Sequence, residues 1–392
     1  MKRVFMSDLH IGDGSMKDDF EFDEELISFL EDALIPGSEL IIVGDFLELL
    51  ENRLIREMGM IPFEDLILSL DEKIIWNIYK PHEKLFTTIR RLSKKHRIKY
   101  VVGNHDYYIL VNRKLQDALK NAIGEIEIHP LIYDDEMGLL IIHGNQFDLI
   151  NRFTFDKKRR RIVPPLGDYM TRYIMNRFDG KLENLPKEIG EYDNVKPFFD
   201  IDKWFEHVME TYDFGFNILE LWMKTVFDMF KSEEFKAWIR ANFPKMHWLS
   251  KLFLNRVGGM ELGKFMTLLA STLKKVRSSD YLMARVKKLL LKNKKLRRNE
   301  LIGYTVDLDL DHENLNGVVA GHTHVRTFKL FGETKFYINC GAWKPVLERR
   351  GKRFVKETEF GYTIVERTKD GFSIEHGNFG KWKEKVFVPI PR

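Results

Sequence analysis

Five apolar runs in this 392-residue chain each end on groups that bind hard or borderline metal ions. Ser7-Asp8-Leu9-His10 follows KRVFM, Gly44-Asp45 follows ELIIV, and Gly103-Asn104-His105-Asp106 follows IKYVV. His143-Gly144-Asn145 follows GLLII, and Gly321-His322-Thr323-His324 follows NGVVA. Asp8, His10, Asp45, Asn104, His143, His322 and His324 together make a set of carboxylate, imidazole and amide donors. Seven donors are too many for one ion but suit two transition metals about 3.5–4 Å apart. Two cations so close need a bridging carboxylate, and Asp45 is the candidate. With no thiolate in the set, two divalent metals are expected, Mn²⁺ first, with Fe or Zn²⁺ as alternatives. Each motif alone reads equally well as a turn. Their agreement in order and position points to a site.

Groups at separate strand ends meet only where the strands share an edge, and in open α/β sheets ligands bind outside the carboxyl ends. KRVFMS (2–7), ELIIVG (39–44), IKYVVG (98–103) and GLLIIHG (138–144) read as strands. FDEELISFLEDAL (22–34), a stretch around Tyr79–His96, and KLQDALKNAIG (114–124) read as helices, the last capped by Gly124. Strands alternating with helices predict an α/β fold in which helices cover a sheet. A smaller insertion, about 50–78, follows Asp45. From about 150 to 300 long helical stretches take over, including WFEHVMETY, NILELWMKTVFDMF and LMARVKKLLLKNKK. Sheet patterning resumes at NGVVAGHTH (316–324), followed by VRTFKLFG, KFYINC and GYTIVER, an antiparallel-looking series punctuated by glycine. The expected organisation is a discontinuous catalytic domain, residues 1–150 and 301–392, with a helical cap insertion at 151–300.

The composition, 44% hydrophobic and 31% charged, is that of an ordinary soluble protein. No apolar run approaches the roughly 20 residues needed to span a bilayer. The N-terminal apolar stretch stops at Asp8, too soon for a signal peptide, so a cytoplasmic location is expected. Cys340 is the only cysteine, which excludes an internal disulfide and a cysteine-based zinc cluster. The net charge of +4 is uneven: residues 241–300 hold 15 Lys and Arg against 3 Asp and Glu. A patch of that kind (Lys251–Arg298) suits a membrane surface or a nucleic acid, and equally a solvated helix face. Arg159, Arg160 and Arg161, shortly after the His143 motif, are the expected contacts to substrate phosphate. Residues 151–250 carry 20 of the 50 Phe, Trp and Tyr, expected mainly as the core of the helical unit.

The five motifs, D-x-H, G-D, G-N-H-D, H and G-H-x-H, resemble those of the calcineurin-like metallophosphoesterase superfamily. The resemblance covers about residues 1–150 and 300–370. It implies a two-sheet β-sandwich flanked by helices, with a two-metal site at one edge. Carried over by position, Asp8, His10, Asp45 and His324 would hold the first ion. Asp45, Asn104, His143 and His322 would hold the second. His105 would stabilise or protonate the leaving oxygen, with Asp106 orienting it. The implied activity is hydrolysis of a phosphodiester or pyrophosphate bond by a metal-activated hydroxide. SDLHIG, GDFLEL, HGNQFD and YINCGAW look most like the bacterial UDP-2,3-diacylglucosamine pyrophosphate hydrolases, in which a helical insertion over the metals receives acyl chains. That layout implies a small or lipid-linked substrate such as a UDP-sugar lipid, and the basic cap segment would allow peripheral contact with the inner membrane surface. Those enzymes typically carry Arg at the position of His105 and Asp at that of Asn145. A nuclease of the same superfamily and a non-catalytic metal-binding scaffold are the alternatives.

Overall fold

The computed structural model describes residues 2–156, 161–182, 185–196, 200–213, 215–242, 279–291, 315–351 and 353–390. Two mixed sheets face each other. The first has seven strands: β1 (Lys2–Met6), β2 (Ser38–Val43), β3 (Ile98–Val101), β4 (Glu127–His129), β15 (Gly361–Arg367), β16 (Gly371–Asn378) and β17 (Trp382–Pro389), ordered β17-β16-β15-β1-β2-β3-β4. The second has β5 (Ile132–Asp134), β6 (Leu139–Ile141), β10 (Gly317–Ala320), β11 (Thr327–Phe331) and β12 (Lys335–Asn339), ordered β11-β12-β10-β6-β5. A hairpin pairs β7 (Thr154–Asp156) with β8 (Arg161–Val163). A three-stranded sheet joins β9 (Val195–Lys196), β13 (Pro345–Arg350) and β14 (Arg353–Thr358).

Alternation along the strands builds the layers, because successive side chains point to opposite faces. Phe5, Ile41, Val43 and Val101 of the first sheet meet Leu139, Ile141, Val319, Phe336 and Ile338 of the second in one buried core. Val4, Met6, Leu40, Ile42 and Tyr100 point the other way, into helices Asp23–Ala33, Glu83–Ser93 and Arg113–Ile123. The outward face of the second sheet, with Leu140, Ile142, Val318 and Tyr337, is covered by Leu282, Val286, Leu289 and Leu290 of helix Ser279–Leu291. The result is a two-sheet sandwich with helices on both outer faces.

Strands β1, β2 and β3 run parallel side by side, as do β6 and β10. Their carboxyl ends therefore reach one edge of the sandwich. The expected antiparallel series is corrected at its first strand: β10 pairs parallel with both β6 and β12, and antiparallel pairing begins only at β11. A short apolar run looks the same in either direction, so pairing sense could not be read there. No helix among the described residues is long and apolar enough to cross a membrane.

Candidate metal centre

The chain leaves β1 into a turn that returns to the neighbouring strand end. Asp8 N–H donates to Gly44 O (3.1 Å) and His10 N–H to Asp45 O (2.9 Å), so the first two motifs are laced together. On the other sheet, Gly321 N–H donates to His143 O (2.8 Å), and His322 N–H reaches across to Asp8 Oδ2 (2.9 Å). The approach is close enough that a side chain on Gly103 would strike the Asp45 carboxylate. One on Gly321 would strike Ser7 Oγ and the Asp8 carboxylate.

Among the described residues, the non-glycine positions with positive φ are Asp8 (54°), His10 (51°), Asp45 (47°), His322 (71°) and His324 (58°). All five belong to the expected ligand set. Left-handed backbone disfavours L side chains by roughly 1–2 kcal/mol per residue, and such strain collects at functional sites.

The donor atoms converge as well. Asp8 with His10 and His324, and Asp45 with His143 and His322, each bring one donor atom apiece within 4.8 Å of the others. His10 Nε2 faces His324 Nε2 at 3.4 Å and lies 3.8 Å from Asp45 Oδ2. His324 Nε2 is 3.2 Å from Asp8 Oδ1. His143 donates through Nδ1 to Val43 O (2.9 Å), which leaves Nε2 as the lone-pair donor 3.0 Å from Asp45 Oδ2. That buried Nε2 makes no hydrogen bond, nor does the buried Oδ1 of Asn104. Buried polar atoms normally find partners. Two unpartnered buried donors, both expected ligands, and two imidazole nitrogens face to face suit a pair of cations. The residues fit two divalent ions.

Supporting carboxylates fix the imidazoles. Glu48, buried, takes His10 Nδ1 at 2.8 Å and His105 Nδ1 at 2.8 Å. His322 Nε2 lies 3.1 Å from Asp148 Oδ2, leaving Nδ1 as its remaining donor atom. Burial alone would lower the His105 pKa, but the carboxylates of Glu48 and Asp45 outweigh it and hold the ring cationic, at about 10.

One expectation needs correction. Asp106 does not orient His105. Its carboxylate turns back to accept from the backbone N–H groups of Gly103 (2.6 Å), Phe46 (2.7 Å) and Leu47 (3.3 Å), tying the third motif to the second. Glu48 does the orienting. Its signal in the sequence was faint: a lone acid inside the apolar run FLELL, three residues past Asp45. Arg159 and Arg160 lie outside the described residues, and Arg161 begins β8. The 251–298 basic segment is described only over helix Ser279–Leu291.

No family model and no curated relative matches the chain. Among solved structures, a dimetal phosphatase from Danio rerio is similar at TM-score 0.34 and 11% identity, over 100% of this chain and 99% of that one.

Proposed function

We propose that the chain is a dinuclear-metal phosphoesterase that hydrolyses a phosphodiester or pyrophosphate bond. The observation that carries this reading is the converging donor set, with His143 Nε2 and Asn104 Oδ1 buried and unpartnered. Asp8, His10, Asp45 and His324 would hold one ion, and Asp45, Asn104, His143 and His322 the other. When bound, the ions would supply Lewis acidity toward phosphoryl oxygens and lower the pKa of water. The protein's own part is positioning and charge. Glu48 holds His105 through Nδ1, so Nε2–H is the edge left for the leaving oxygen. A cationic imidazole there offsets developing negative charge and can deliver a proton. Nothing in this scheme needs a protein nucleophile.

The substrate read into the site is small or lipid-linked, such as a UDP-sugar lipid. Aromatic side chains in the insertion support it only in part. Phe178, Tyr192, Trp204 and Phe205 close into one internal cluster, and Phe230, Phe235 and Trp238 into another.

Hydrolysis of bis-(p-nitrophenyl) phosphate with Mn²⁺ tests the activity. Asp45→Asn is expected to lower kcat by on the order of 100-fold or more, and equal rates would refute it. A panel setting UDP-sugar and lipid pyrophosphates against DNA and RNA then separates the lipid-linked reading from a nuclease. Salt-sensitive cleavage of nucleic acid would favour the latter.

A further inference from the structure

Two tyrosines follow His105 by two and three residues, and both are buried. Tyr107 and Tyr108 donate their hydroxyls to the same atom, Oδ2 of Asp168, the former at 2.6 Å. Asp168 sits on helix Leu166–Arg177, inside the insertion, and is itself buried. Its other oxygen accepts from Arg172 Nε at 2.9 Å, one turn along the same helix. Three donors therefore converge on one carboxylate, and its charge is matched by one guanidinium.

Stability alone gives little reason for this arrangement. A buried ion pair commonly does no better than well-packed apolar residues of the same volume. What directional bonds add is a defined position. The segment Gly103–Asp106 is already held from the front, where Asp106 takes three backbone N–H groups. The tyrosine hydroxyls hold it from behind. Asn104 and His105 lie in sequence between Gly103, which donates to Asp106, and the two tyrosines.

We propose that Asp168 is a positioning residue for the reaction: acting through Tyr107 and Tyr108, it sets the place of His105 in the site. The inference rests on the reading of His105 as the group at the leaving oxygen. It also gives the insertion a second role, since a helix outside the sandwich then belongs to the scaffold of the catalytic turn. Displacing a reacting group by about 1 Å can cost on the order of 100-fold in rate.

The test is a mutant cycle on bis-(p-nitrophenyl) phosphate with Mn²⁺. Asp168→Asn is expected to lower kcat about 10–100-fold, with KM little changed. In a His105→Asn background the same substitution should change kcat by less than about twofold. Tyr107→Phe and Tyr108→Phe remove the donors but keep the rings, so they carry the test if Asp168→Asn does not fold. Each should lose part of the rate. Amide hydrogen exchange on metal-free protein supplies a readout independent of activity. Peptides covering 103–112 should exchange at least about tenfold faster in the variants, while those covering 361–389 stay as in the wild type. An unchanged kcat, an equal loss in both His105 backgrounds, or a uniform rise in exchange would each overturn the inference. A wild type that hydrolyses no phosphoester would overturn the functional reading instead, and the exchange pattern would then decide the coupling alone.

Discussion

Glu48 determines whether His10 and His105 face the site together. Burial would raise its pKa, but the two imidazoles outweigh that and hold the carboxylate well below its ordinary range. Glu48→Gln keeps the shape, but it replaces one of the two oxygens that accept from His10 and His105 with an NH2 group that can only donate. Activity should fall about 10–100-fold, measured as steady-state kcat, and a variant as fast as wild type would contradict the role. A second residue, His82, sets part of the pH dependence of stability. It is buried between Asp18 (3.1 Å from Nε2) and Asp23 (2.9 Å from Nδ1). Burial works to lower its pKa, but these hydrogen bonds raise it to about 9. A folded-state value above the unfolded 6.5 stabilises fully below that pH and is lost as pH rises through 9. His82→Gln should therefore lose up to about 3 kcal/mol at pH 6 and much less at pH 9.5. Urea unfolding at the two values checks it, and a gap that ignores pH would refute it. The donor set was legible because metal chemistry admits few residue types at strand ends. Glu48 and Asp148 were not, since a supporting carboxylate is placed by tertiary approach that no spacing records. Asp106 misled because neighbours in sequence at a sharp turn point to different places.

Elements with clean periodicity matched their expectation closely. Asp23–Ala33 lies within the helix read at 22–34, and Arg113–Ile123 ends at Gly124 with φ 88°. The helix read around Tyr79–His96 is Glu83–Ser93, which begins after Pro81, while a separate helix, Lys73–Tyr79, ends before that proline. Proline lacks the N–H that would carry a helix through. Strand direction had no such marker, which is why β10 was misjudged. The turn after β10 yields a prediction at this scale. Gly321→Ala would drive a methyl group against Ser7 Oγ and the Asp8 carboxylate, parting the turn from β1. Bound metal, measured by elemental analysis after reconstitution, should fall below two ions per chain, and full loading would show that the contact yields without consequence.

For the molecule as a whole, the 151–300 stretch serves more than one purpose. The sequence puts helix Ser279–Leu291 inside the insertion, yet its apolar face closes the outer layer of the two-sheet sandwich. β9, from the same stretch, pairs with β13 near the chain's other end. Leu282→Ala should consequently destabilise the sandwich by about 2–5 kcal/mol, seen as a lower urea midpoint. A loss confined to the insertion, with the sandwich midpoint unmoved, would contradict the packing. The five left-handed residues of the metal centre bear on this margin. All five are Asp or His, types that enter this region more readily than most, yet each still withholds some stability from the fold. The apolar layers must offset that before the fold gains anything. A chain built this way tolerates few large losses in its cores, so mutational robustness is lowest where the chemistry demands most of the backbone.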